Sequence, residues 1–201
     1  MSVIGFALLI IIFIYSVIAH EVAHGTMAEY LGDPTARLAG RLTLNPLPHI
    51  DLLGSILVPA ILFFSGVPIL FGWAKPVPYN PYNLSNQHYG NALVAGAGVG
   101  TNLIIAIIFG LIIRFISLPL PLIDVFIIVV RINLVLGIFN LVPIPPLDGS
   151  KILFDFVPNS ELRNFLEQYG FVILIFFIFY GFGYLQPIIS GLFQAITGIS
   201  I

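Results

Sequence analysis

The chain has no cysteine. That excludes disulfides, thiol catalysis and thiolate ligation, so any metal must be held by His, Asp or Glu. Charge is also scarce. Charged residues make up 8% of the 201 residues, against about 25% in a typical soluble domain. Such a chain lacks the polar material to cover a water-facing surface, and with 59% hydrophobic residues it reads as an integral membrane protein. A formal net charge of −2 argues against nucleic acid as a partner. No Lys or Arg precedes the first apolar run, Val3 to Ala19, and no small-x-small cleavage pattern follows it. The run therefore reads as a retained helix, not a signal peptide.

Long hydrophobic segments are what the chain does have. They run from Val3 to about Tyr30, Leu52 to Phe71, Ala92 to Ile116, Leu122 to Val142, Tyr169 to Leu185 and Pro187 to Ile201. At about 20 residues per span they predict one domain, residues 1–201: an all-α polytopic bundle of about five to six hydrophobic segments. Gly54, Pro59, Gly66 and Pro68 interrupt the second segment. The last is short for a span and is expected at the interface. Two stretches suggest short, membrane-associated β-like strands. Leu38, Leu42 and Leu44 fall on same-parity positions, four and two apart, around Arg41 and Thr43. Trp73 to Tyr79 is expected to be extended, because residues before proline avoid the helical region.

Chemistry concentrates where the first segment ends. His20 and His24 are four residues apart, hence on one helix face about one turn apart. Two neutral imidazoles so placed can grip one zinc ion. Glu21 beside them can hold or deprotonate a water that the metal acidifies. With four His in 201 residues, chance produces this pattern on the order of 10⁻³ times per chain. Polar groups at the end of an apolar run are costly and need a reason. Catalytic zinc takes a third protein ligand, and Asp51, Asp148 and His49 are the candidates. Asp148 follows Pro143, Pro145 and Pro146 and precedes Gly149, a setting that presents a carboxylate inside a bundle; it could also cap the helix that follows.

Three motifs, in order, resemble the site-2 protease family of intramembrane metalloproteases. His20-Glu21-Val22-Ala23-His24-Gly25 is similar to the family's zinc helix. Asn140-Leu141-Val142-Pro143-Ile144-Pro145-Pro146-Leu147-Asp148-Gly149 resembles its third-ligand segment. Ala97-Gly98-Val99-Gly100-Thr101-Asn102 resembles its Ala-Gly-Pro-x-x-Asn helix entry, with Val99 where proline is usual. The resemblance implies one Zn²⁺ per chain on His20, His24 and Asp148, with Glu21 as general base. It implies a minimal form without a PDZ or CBS domain. The implied reaction is hydrolysis of peptide bonds in or near transmembrane segments of membrane-protein substrates.

Asn102 and Asn140 are amides in apolar helices, suited to an oxyanion, a substrate strand or a helix–helix hydrogen bond. His49 and Asp51 could be accessory or resting-state ligands, or could order their loop. His88 and Asp33 read as ordinary loop residues. Arg131, inside the fourth segment, either pairs with Asp124 or faces a polar cavity.

The metal site constrains topology. His24 and Asp148 must meet at one depth, so one intervening segment should fail to cross. Leu52 to Phe71 is expected to be re-entrant, or the stretch from Trp73 to Tyr79 to return through the bundle. Arg37, Arg41, Lys75, Lys151 and Arg163 then share one side and Arg114 lies near the other, which opens the site toward the cytoplasm of a prokaryotic cell membrane. A divalent-metal transporter is the alternative function, although a non-ligating Glu between the two His gives a transporter little.

Overall fold

A computed structural model describes residues 3–57, 61, 75–157 and 160–200. Helix α1, Val3–Tyr30, contains no Gly or Pro between Gly5 and Gly25 and is apolar around its circumference. Its 28 residues extend about 42 Å, longer than a hydrocarbon core of about 30 Å. A short helix α2, Thr35–Leu38, follows. Helices α3, Gly90–Phe115, and α4, Leu120–Asn140, form a hairpin through Ile116–Pro119, with Pro121 in the first turn of α4. Helix α5, Asp148–Phe156, packs against α3. Helices α6, Ser160–Phe176, and α7, Gln186–Thr197, complete the described elements.

Four helical passages among the described residues are long and apolar enough to cross a membrane: Ile4–Tyr30, Gly90–Phe115, Leu120–Asn140 and Glu161–Thr197. The chain is thus an all-α integral membrane protein. Helix α3 lies between α1 and α4 and touches both.

The last two apolar segments differ from expectation. They join into one passage through a π turn, Phe177–Gly181, and a 3₁₀ turn, Phe182–Leu185. Pro187 does not break it, because it sits in the first turn of α7, where its missing N–H costs no hydrogen bond. Helix α7 packs on the bundle. Ile189 and Phe193 are buried against Ala106 of α3 and Val130 and Leu134 of α4.

The strand expectations also change. No strand occurs among the described residues. Leu38 ends α2, and Gly40 turns the chain at φ +65°. The Thr43 hydroxyl then accepts the Asn45 N–H, and Asn45 Oδ1 accepts the Leu47 N–H. Such local turns compete with strand pairing. Lys75–Tyr79 forms neither helix nor strand, as expected where prolines favour extended backbone, and Trp73 and Ala74 lie outside the described residues. Of the second apolar segment, Leu52–Leu57 forms a π turn and Ile61 is helical; its other residues, with Pro59, Gly66 and Pro68, lie outside the description.

Its two flanks meet on one side of the bundle. The Ser85 N–H donates to the Leu31 carbonyl at 2.7 Å. Asp33, expected to be an ordinary loop residue, is fully buried and joins these flanks. Its carboxylate accepts from the Thr35 hydroxyl, the Asn80 N–H and the Asn83 amide. Burial works against that charge, but these donors outweigh it and hold the Asp33 carboxyl below its usual range. The chain therefore leaves α1 and enters α3 at the same end of the bundle. Helix α3 runs away from that end and α4 returns, which brings Asp148 back to His24. Arg131 is exposed on α4 and lines a cleft of about 270 Å³ with Val135, Gln186, Ile189 and Ser190.

Candidate active site

His20 and His24 project from one face of α1, their rings edge to face with centroids 4.4 Å apart, and both are buried. Close helix packing makes room for them. A Cβ on Gly98 of α3 would fall 2.3 Å from His24 Cε1 and 2.8 Å from His20 Cε1.

Asp148 arrives from the other end of the sequence. After α4 ends, Val142–Leu147 turns through three prolines, with a cis bond at Pro145–Pro146, and Asp148 opens α5. Glycine is required next. A Cβ on Gly149 would lie 2.2 Å from the Leu141 carbonyl oxygen. Asp148 Oδ2 stands 3.0 Å from Nε2 of both histidines, and those nitrogens are 2.9 Å apart. Lys151 Nζ donates to the other oxygen, Oδ1, at 2.9 Å. Burial works against the Lys151 charge, but Asp148 beside it prevails and raises the ammonium pKa above its usual value.

An outer layer sets the histidine tautomers. His24 Nδ1 lies 2.8 Å from the Val94 carbonyl, which can only accept, so Nδ1 carries the proton. His20 Nδ1 lies 2.6 Å from Asn102 Oδ1. The Asn102 assignment follows from its other partners: Nδ2 donates to the Ser16 carbonyl and to Asn133 Oδ1. Asn133 in turn donates to the Ser16 hydroxyl and the Val129 carbonyl. With Nδ1 protonated on both rings, each Nε2 presents a lone pair. In the neutral rings two lone pairs and a carboxylate oxygen therefore converge within 3.0 Å. Such acceptors repel one another unless a cation lies between them. Ligands about 2.0–2.2 Å from a tetrahedral zinc stand about 3.4 Å apart, close to this spacing. The donor set fits Zn²⁺.

Glu21 is half-buried, and its carboxylate lies within 4.8 Å of the histidine nitrogens. It is a second acid beside the pair, farther off than Asp148. Its Oε2 accepts the Val77 N–H at 2.8 Å.

The remaining sequence candidates lie elsewhere. Both Asn102 amide hydrogens are committed, so this residue supports His20 and has no donor left for an oxyanion. Asn140 donates to the Leu136 carbonyl one turn back on its own helix. His49 is buried, its Nε2 against the Thr43 carbonyl, and Asp51 Oδ1 accepts the Gly54 N–H. Both order their loop, and neither joins the metal-capable group among the described residues. Sequence reasoning did not find Ser16, Asn133, Lys151 or the Val77 N–H. For Asn133 the signal was an amide within an apolar helix, and for Lys151 a cation at i,i+3 from Asp148.

The sequence is also similar to known proteins. Residues 117–180 match the sequence profile of peptidase family M50, a stretch that carries Asp148 but not the histidines. The chain is 38% identical over 178 residues to a Bacillus subtilis (strain 168) protein named "Putative zinc metalloprotease YwhC", covering 83% of this chain and 78% of the relative. No solved structure matches. With most of both chains aligned at that identity, this protein belongs to peptidase family M50, the site-2 proteases, and is a membrane-embedded zinc metalloendopeptidase.

Proposed function

We propose that the chain is an intramembrane endopeptidase that cuts membrane-protein substrates in or near their transmembrane segments. One observation carries this reading: three acceptor atoms converge in a buried site at the end of an apolar helix, with a second carboxylate standing off them. His20, His24 and Asp148 would hold the zinc, and Glu21 would be the base. Zinc bound there supplies Lewis acidity, polarising the scissile carbonyl and acidifying the attacking water. Glu21 takes the proton of that water and delivers it to the leaving amine. Asn102 and the Val94 carbonyl keep the histidine Nε2 atoms unprotonated and aimed. Lys151 occupies Asp148 Oδ1, which leaves Oδ2 for the metal. The transporter alternative loses ground, because metal passage has no use for Glu21.

The direct test is proteolysis in liposomes of a reporter substrate with one transmembrane helix. We expect cleavage within or at the edge of that helix, and none of a soluble peptide of the same length. Cleavage of the soluble peptide alone would overturn the reading.

Orientation follows from charge. Arg37, Arg41, Lys75, Lys151 and Arg163 gather at the active-site end, while Arg114 bonds the Ala195 carbonyl at the other. Lys and Arg favour the cytoplasm, so the site opens toward it. The absence of native cysteine makes the check simple. Single cysteines at Lys75 and Arg114 should be labelled from opposite sides of the membrane, Lys75 from the cytoplasm. Labelling of both from one side contradicts this topology.

A further inference from the structure

The run Lys75-Pro76-Val77-Pro78 alternates with proline. The prolines keep it extended and remove two of its four N–H groups. The N–H left between them belongs to Val77, and it points at Glu21, 2.8 Å from Oε2. The strap is clamped from behind. Arg41, 6% exposed, donates through Nη2 to the carbonyls of Lys75 at 2.6 Å and Pro76 at 3.3 Å. The Lys75 N–H donates to the His49 carbonyl at 2.9 Å. Gly25 lets the strap lie against α1 one turn beyond Glu21: a Cβ there would meet Val77 Cγ1 at 2.7 Å.

We propose that this Arg41-clamped strap fixes the Glu21 carboxylate, which makes Arg41 a positioning residue for the peptidase reaction. The inference rests on the reading of Glu21 as the base. A glutamate side chain has three rotatable bonds, whereas a general base must hold one geometry within hydrogen-bond reach of the water it deprotonates. A backbone N–H held by two prolines and a buried guanidinium is a rigid anchor for one oxygen. Arg41 makes no hydrogen bond to His20, His24 or Asp148, so its loss should slow turnover and spare the metal.

The test uses the full chain in detergent with the single-span reporter. It measures kcat, KM, zinc per chain and hydrogen–deuterium exchange of residues 75–79. Arg41→Gln should lower kcat about 10–100-fold with KM and zinc unchanged, and should speed exchange at Val77. Arg41→Lys, which can still donate to one carbonyl, should recover part of kcat. Adding Arg41→Gln to Glu21→Gln should slow the enzyme no further. Wild-type kcat in Arg41→Gln would overturn the proposal, as would loss of zinc together with kcat. If Arg41→Gln does not fold, Val77→Pro decides: it removes the N–H and keeps the run extended, so with zinc retained the same fall in kcat is expected and wild-type kcat overturns the proposal. Cleavage undiminished in Glu21→Gln would bring down the base reading and this inference with it. An inactive Glu21→Gln beside fully active Arg41→Gln and Val77→Pro would remove this inference alone.

Discussion

Glu21→Gln should keep about one zinc per chain and lower kcat about 10²–10⁴-fold, the usual contribution of a general base. The substitution is nearly isosteric. Gln can still accept the Val77 N–H through its oxygen, so the strap should stay in place. What is lost is the capacity to take a proton. The metal should stay because Asp148, not Glu21, lies 3.0 Å from both histidine nitrogens. Metal analysis and single-turnover cleavage on one preparation check both halves. Zinc lost along with activity would make Glu21 a ligand.

Asp148→Ala should have the opposite signature, with zinc and cleavage disappearing together. The carboxylate is one of three converging donors and is itself buried. Its removal leaves two imidazoles, fewer protein ligands than a catalytic zinc site uses. It also leaves the Lys151 ammonium without its carboxylate partner, so the thermal midpoint should fall as well. Zinc content by mass spectrometry, beside the melting profile, separates the two effects. Full zinc occupancy in a folded Asp148→Ala protein would move the third ligand elsewhere.

Much of this site could be read in the sequence, for a physical reason. His20, Glu21 and His24 lie within one helical turn, so their spacing encodes their geometry. Asp148 was one of three open candidates on residue chemistry alone; its proline and glycine setting suggested a carboxylate presented into a bundle, and the family resemblance pointed to it. The demand that Asp148 reach His24 also implied that one intervening segment fails to cross; the Leu31–Ser85 bond puts the exit from α1 and the entry to α3 at the same end of the bundle. The parts that escaped are those without side-chain signatures or with long-range partners. A backbone N–H at Val77 looks like any other in a sequence. Asn133 and Ser16 acquire meaning only when α4 and α1 are brought together around Asn102. Asp33 carries the composition of a loop, and only the fold buries it. The strand expectation at Arg41–Leu44 failed because period two is also what a turn-rich stretch of Thr, Asn and Pro can produce. Pro187 reads as a boundary in the sequence because its place in a first turn is visible only once the helix start is known.

The central claim, a zinc ion held by His20, His24 and Asp148, is tested most directly by the zinc X-ray absorption spectrum of the purified protein. The account predicts one zinc per chain with two imidazole nitrogens and oxygen donors at about 2.0–2.2 Å. A spectrum with three imidazoles, which would bring in His49 or His88, or with none, would contradict it.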